Sequence, residues 1–441
     1  MVWNKGVPLS CCALGLLLTL SGCGGGGTIT DSGGTTPPSA SLIKVDTVAY
    51  SEHCPSKTTV LPGVKVLLHK ADGSIQSQWT TDASGHFELE KPSDVAHISL
   101  LYKDSKSTYQ IQSELSPSYL DLGVRRFVDE LYKERCSCKT ISVNWTDIHL
   151  AQPELSLHLR NPNIELNRNL TGSVTQNYCA DNSGLLGKLQ LTLAPKDAGP
   201  SYIQELDLDA MAANSTHQLK LSEMSQSGNV LTWTANLPLN ALYADTYNNG
   251  TVQWLFGVSV SSGEALRLFP QANARHRVLA YAEPVMLPES IAGSIGYVSG
   301  AQQTVQGSSA SLQLPTNQAQ LASNFEGILA QWRSSHSTSY DFSGLAGVNQ
   351  VRLAQTSTKL RWQISTAPKA SVVDLLLPAG DAAALADEQI SWLALDFSGE
   401  GSGLSYSDFQ KRQAALSRGT AVDTSAAFDA MRYELIYWSN Q

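Results

Sequence analysis

The chain is short of charge and lacks the signatures of the common catalysts. Only 16% of its 441 residues are Asp, Glu, Lys or Arg, and 30 Lys and Arg face 39 Asp and Glu, a formal charge of -9. The basic surface that nucleic-acid binding requires is therefore missing. No Gly-x-Ser-x-Gly elbow, His-Glu-x-x-His pair, P-loop or dinucleotide fingerprint occurs, which excludes the readily recognised serine hydrolases, metalloproteases and nucleotide enzymes. There is no Cys-x-x-Cys, so neither a zinc ribbon nor a thioredoxin-type redox pair is expected. The nine histidines are scattered, and His276, between Arg275 and Arg277, is the one in a local charge cluster. No cofactor and no metal is expected. Beyond Leu20 no apolar stretch reaches the roughly 20 residues of a membrane-spanning helix. The alternative is a hydrolase assembled from distant carboxylates, since a glycosidase needs only two of them brought together by the fold.

What is present starts at the N-terminus. Residues 1–6 hold one positive charge, Lys5, an apolar run follows over 7–20, and Leu20-Ser21-Gly22-Cys23 ends it. A weakly basic start, a short apolar core and small residues before a cut site read as a secretory signal peptide, residues 1–22. With a cysteine directly after Leu-Ser-Gly, the segment resembles the lipobox of bacterial lipoprotein precursors. The resemblance implies that Cys23 is lipidated and becomes the first mature residue, anchoring the chain to a membrane. Several acyl tails make that anchor stable where one would be marginal. Gly24 and Gly25 follow the cysteine. In the resembled lipoproteins an aspartate there favours the inner membrane, so its absence implies outer-membrane localisation. Residues 23–41, rich in Gly, Ser and Thr with Pro37-Pro38 near the end, read as a flexible tether.

Of seven cysteines, Cys11 and Cys12 belong to the signal and Cys23 to the lipid. Cys54, Cys136, Cys138 and Cys179 remain, an even number suited to disulfides in an oxidising compartment. A bridge within Cys136-Ser137-Cys138 would close a very tight ring. The other two pairings each tie Cys54 and Cys179 to the Cys-Ser-Cys segment and clamp two domains together.

Residues 42–115 alternate as strands. Val64, Val66 and Leu68 interleave with Lys65, Leu67 and His69, and Ala71-Asp72-Gly73 turns the chain. In Thr81-Asp82-Ala83-Ser84-Gly85, Asp82 accepts backbone N–H groups and Gly85 supplies a positive φ. Pro62-Gly63-Val64-Lys65-Val66 and Thr81-Asp82-Ala83-Ser84-Gly85-His86-Phe87-Glu88-Leu89 resemble the carboxypeptidase regulatory-like domain. That resemblance implies a transthyretin-like β-sandwich serving as an accessory rather than a catalyst. Leu120, Val124, Phe127, Val128 and Leu131 stand at helical spacing, so 116–138 reads as a helical connector ending in Cys-Ser-Cys, with a strand over 120–127 as the rival.

Many short strands over 139–289 read as one large sandwich. Glu205, Asp207 and Asp209 share a strand face, and Trp145, Trp233 and Trp254 are candidates for a sugar-stacking platform. Residues 290–311, rich in Gly, Ser and Gln, read as a joint. Leu321, Phe325, Ile328, Leu329 and Trp332 form a helical core stripe, and Ser407 with Gln410 reads as a capping box. The remainder, 290–441, is expected to be β-rich or α+β. The expectation is a mainly β chain of tandem sandwiches: a non-catalytic, lipid-anchored envelope protein that binds a protein partner or supports envelope structure. The alternative is a polysaccharide-binding lipoprotein or glycoside hydrolase using exposed aromatics and paired acids.

Overall fold

A computed structural model describes residues 42–440 except 162–163, 170, 227, 249–250, 261–262, 270–274, 288–292, 306, 401–403 and 420–429. Cys23 and the tether lie outside the described residues. Along Leu42–Tyr50 every second residue is buried, the period of a strand with one face in a core. This strand pairs antiparallel with Thr58–Val60 and His86–Glu90, and parallel with Asp121–Val128. A second sheet, ordered Ile75–Thr80, Lys65–His69, His97–Lys103, Tyr109–Leu115, faces it. Ile43, Val45, Val66, Leu68, Ile98, Leu100 and Phe127 fill the space between the two sheets. The first of the described residues thus form a β-sandwich.

Of the two readings of 116–138, the strand is the one formed, as Asp121–Val128, followed by a short 3-10 helix, Glu130–Arg135, in place of the expected helix. A bulge explains the misleading spacing. Gly123 sits at φ 69°, and the pairing shifts register between Lys44 and Asp46. The extra residue brings Leu122 and Phe127, five apart, into the same core. Asp121–Val128 and Glu130–Arg135 therefore belong to the first sandwich, and Cys136-Ser137-Cys138 carries the chain into the next.

The 139–289 span holds two clusters of buried residues where one sandwich was expected. Ile141, Trp145, Leu157, Tyr178, Leu191 and Leu206 form one. It lies between the sheet containing Leu155–Asn161, Lys188–Pro195 and Tyr202–Asp207 and the sheet of Cys138–Asn144, Ser173–Cys179 and Ser215–Gln218. Leu242, Phe256, Val278 and Leu312 belong to the other, under Leu239–Asn248, Thr251–Ser259 and Arg275–Ala282. Arg267, 1% exposed, joins these second and third modules by donating to the carbonyls of Pro195, Asp197 and Gly199.

The supposed joint at 290–311 contains the twelve-residue strand Ser294–Val305. It pairs with Arg275–Ala282 on one side and Ala430–Ser439 on the other. Its small residues make room for aromatics: a Cβ on Gly296 would collide with the Tyr437 ring, and one on Gly300 with Tyr281. Tyr297 of this strand belongs to the fourth module's core and Ala301 to the third's. In the fourth module, helix Gln318–Ser335 buries Leu321, Phe325, Ile328, Leu329 and Trp332, as the stripe predicts. The cap of helix Tyr406–Ser417 lies two residues before the expected pair. Ser405 Oγ accepts from Asp408 N.

The sheet does not stop at the fourth module. Leu360–Thr366 pairs in parallel with Tyr109–Leu115, placing Leu360 beside Tyr109 and Ser365 beside Glu114. One thirteen-stranded sheet therefore runs from the third module through the fourth into the first. Buried Glu114 is held there by Arg125 at 2.8 Å, Gln410 at 3.2 Å and Tyr406 at 3.3 Å. Lys65 meets Asp381 at 2.6 Å across the same boundary.

Candidate functional site

The residues singled out by sequence converge best at the boundary between the first and second modules. Cys54 sits in the turn after Leu42–Tyr50, its N–H donating to Ser51 O. The short helix Glu130–Arg135 starts with Asp129 accepting from Leu131 N and delivers Cys136 at its end. Cys54 and Cys136 are bonded, with their Cα atoms 5.9 Å apart. Two residues on, Cys138 opens Cys138–Asn144 directly opposite Cys179 of Ser173–Cys179, and these two are bonded, Cα to Cα 3.9 Å. Of the two pairings open from sequence, this is the one formed. The Cys-Ser-Cys segment is tied to the first module by one cysteine and to the second by the other.

Polar contacts reinforce the bridges. Thr58 N donates to Asn182 Oδ1 at 2.7 Å, Asn182 Nδ2 returns a bond to Thr58 Oγ1 at 2.7 Å, and Lys57 Nζ reaches Asp181 O at 3.3 Å. Beside Cys54 stand Ser51, His53 and Glu130, a composition that invites comparison with a catalytic triad. The geometry differs from one. A triad places the serine on Nε2 and the acid on Nδ1. Here His53 Nδ1 faces both Ser51 Oγ, at 3.3 Å, and Glu130 Oε2, at 2.9 Å. Ser51 is fully buried. Burial opposes the charge on Glu130, but the Glu52 N–H, the Ser51 hydroxyl and His53 outweigh it and hold the carboxyl below its usual value. The cluster fixes the turn that carries Cys54.

The proposed stacking tryptophans do not assemble. Trp145 is fully buried in the second core, its ring 5.0 Å from that of His149, so no ligand can stack on it. Trp233 is 37% exposed on Thr232–Ala235, in a different module. The backbone of Trp254 lies in Thr251–Ser259, but its side chain is outside the described residues. The acidic trio is spent locally as well. The strand ends at Asp207, so Asp209 does not share its face. Glu205 pairs with Lys188 at 2.7 Å, Asp207 accepts from Asp209 N, and Asp209 accepts from Leu186 N and Gly187 N. Asp82 accepts from Ser84 N, Ser84 Oγ and His86 N, which makes its loop a turn. Among the described residues no group of His, Cys, Asp and Glu is arranged to hold a metal.

Sequence reasoning missed a buried polar chain. His69 Nε2 meets Ser99 Oγ at 3.0 Å, Ser99 meets Ser113 at 2.8 Å, and Trp362 Nε1 donates to Ser113 at 3.0 Å. The alternation at Lys65–His69 hinted at a one-faced strand, which gives His69 no partner to find. Burial pulls the His69 imidazole down to about 4, assisted by His97 and opposed by its bond to Gly73 O, so it stays neutral at pH 7.

No family model and no curated protein matches the chain. Among solved structures it is similar to the Bacillus anthracis TIE protein, at 10% identity over 62% of this chain and 49% of that one, TM-score 0.15. It is similar to two B repeat units of the Staphylococcus aureus collagen binding protein, at 9% identity over 75% of each chain, TM-score 0.13. It is also similar to native E. coli alpha-2-macroglobulin, at 10% identity over 81% of this chain and 27% of that one, TM-score 0.12. The chain spans about half the length of the TIE protein. Superpositions this loose carry no argument about activity or partner.

Proposed function

We propose that this chain is a non-catalytic, lipid-anchored protein of the bacterial outer membrane, holding a braced set of β-sandwich modules away from the bilayer for a protein partner or for envelope structure. The observation that supports it is the pair of bridges, Cys54–Cys136 and Cys138–Cys179. Disulfides persist in oxidising compartments, which agrees with the export segment ending in Leu20-Ser21-Gly22-Cys23. The tether then places the first sandwich nearest the lipid, in the accessory role that its resemblance to the carboxypeptidase regulatory-like domain implies. The buried Trp145 takes away the three-tryptophan platform, and with it the main support for the polysaccharide reading.

Expression of the full chain in a Gram-negative host with a palmitate analogue tests the anchor. The wild-type protein is expected to label and to partition into detergent, and Cys23→Ser to do neither. A Cys23→Ser protein that still labels and partitions would overturn the proposal.

A further inference from the structure

The two disulfides sit in different surroundings, although a single residue, Ser137, separates them along the chain. Cys54 is buried and its partner Cys136 half-buried. In the second bridge Cys179 is buried, but Cys138 is exposed. Cys179 Sγ lies 3.5 Å from His53 O, in the turn of the first module that carries Cys54, so that side of the bond is covered. A thiol arriving from solvent therefore meets the Cys138–Cys179 bond at Cys138, and meets less of the Cys54–Cys136 bond.

The bridges also differ in what they join. Cys54–Cys136 links a turn to the end of a short helix, with its Cα atoms 5.9 Å apart, the ordinary spacing of a disulfide. Cys138 and Cys179 stand directly opposite each other in an antiparallel ladder. Opposite residues in such a ladder keep their Cα atoms about 4.5–5.5 Å apart. These two are at 3.9 Å, closer than the ladder itself would bring them. Exposed or strained bridges are the ones that exchange with external thiols, whereas buried, relaxed ones resist reduction.

We propose that Cys138–Cys179 is a redox-labile bridge, a site of thiol–disulfide exchange with an external dithiol, and that Cys54–Cys136 is the structural one. The thiolate of the dithiol attacks Cys138 Sγ. A bond forms between those two sulfurs, the Cys138–Cys179 bond breaks, and Cys179 leaves as a thiolate that takes a proton from water. The second thiol then attacks the dithiol's own sulfur in the mixed disulfide and passes its proton to Cys138. The dithiol is oxidised to its disulfide and the bridge is reduced to two thiols. The exchange stops there, because Cys138 could displace Cys54 from Cys136 only by closing the tight Cys136-Ser137-Cys138 ring. The fold outlasts the bridge. Six further pairs, from Ser173 opposite Asn144 to Tyr178 opposite Lys139, hold the two strands, and Ala180 N donates to Ser137 O at 2.8 Å. Ile141, Val143 and Tyr178 of these strands stay in the second core. What is released is the end of the Cys-Ser-Cys segment at the second module, so the exchange loosens one hold between the first two modules.

Timed treatment of the full chain in detergent with dithiothreitol, quenched with iodoacetamide and read by peptide mass mapping, tests this. Cys138 and Cys179 are expected to be alkylated together, roughly tenfold or more faster than Cys54 and Cys136. Tryptophan fluorescence followed in the same samples should remain that of the folded chain, which separates local exchange from unfolding. Equal rates for the two bridges, earlier opening of Cys54–Cys136, or no opening until the folded fluorescence is lost overturns the proposal.

Discussion

Trp362 donates its indole N–H to Ser113 at 3.0 Å, although 249 residues separate them in sequence. The bond lies where the fourth module's sheet continues into the first. Three other junctions complete a circuit. The Cys-Ser-Cys segment, held by a bridge at each end, and the Thr58–Asn182 bonds join first to second, Arg267 joins second to third, and Ser294–Val305 joins third to fourth. Each module therefore touches two others through directional bonds, a closed arrangement rather than beads on a string.

Ser113→Ala should destabilise the chain by about 1–3 kcal/mol, because it leaves the buried Trp362 N–H without its acceptor. Urea denaturation followed by tryptophan fluorescence measures the loss. A change within error would mean that the indole finds another partner.

Replacing Cys54 and Cys136 together by alanine opens a sequence separation of 82 residues, against 41 for Cys138–Cys179. The chain-entropy account gives an upper cost of about 4.5 kcal/mol for the first bridge and about 4 kcal/mol for the second. Denaturant midpoints of the two double variants check both the size and the order.

Glycine substitutions should divide by place. Gly327, inside helix Gln318–Ser335, has nothing within 4 Å of an added Cβ. Gly327→Ala is therefore expected to stabilise by up to about 1 kcal/mol. Gly296→Ala drives a methyl group into the Tyr437 ring and should cost about 1–3 kcal/mol. Thermal midpoints moving in the same direction for both would contradict the packing described.

His69 gives the protein a pH dependence. Its folded value, about 4, lies below the unfolded value near 6.5, so the unfolded chain binds the proton more readily. Stability should be full above pH 6.5 and fall by about 3 kcal/mol as the pH drops to 4. His97, whose value burial also lowers, acts in the same direction. His69→Gln should flatten this slope in a pH series of denaturant midpoints. An unchanged slope would rule His69 out as its source.

The legible parts of the fold were those decided by one surface at a time. The stripe on Gln318–Ser335 packs on a single core, and the Asp82 turn is satisfied by its immediate neighbours. Lys65–His69 was harder, because Val66 and Leu68 face the first core while Leu67 faces the fourth, so four consecutive residues are buried. Asp121–Val128 imitated a helix through the bulge at Gly123, and its partner strand begins some 80 residues earlier. Ser294–Val305 looked like a linker because the bulk over its glycines comes from Tyr281 and Tyr437. At the candidate site, cysteine spacing limited the bridges to two pairings, and only the order of turn, short helix and strand chose between them.

Calorimetry of the oxidised chain tests the closed circuit most directly. If the four junctions hold, the modules unfold together, in one transition whose calorimetric and van't Hoff enthalpies agree. Two or more resolved transitions, with one module melting while the others persist, would contradict it.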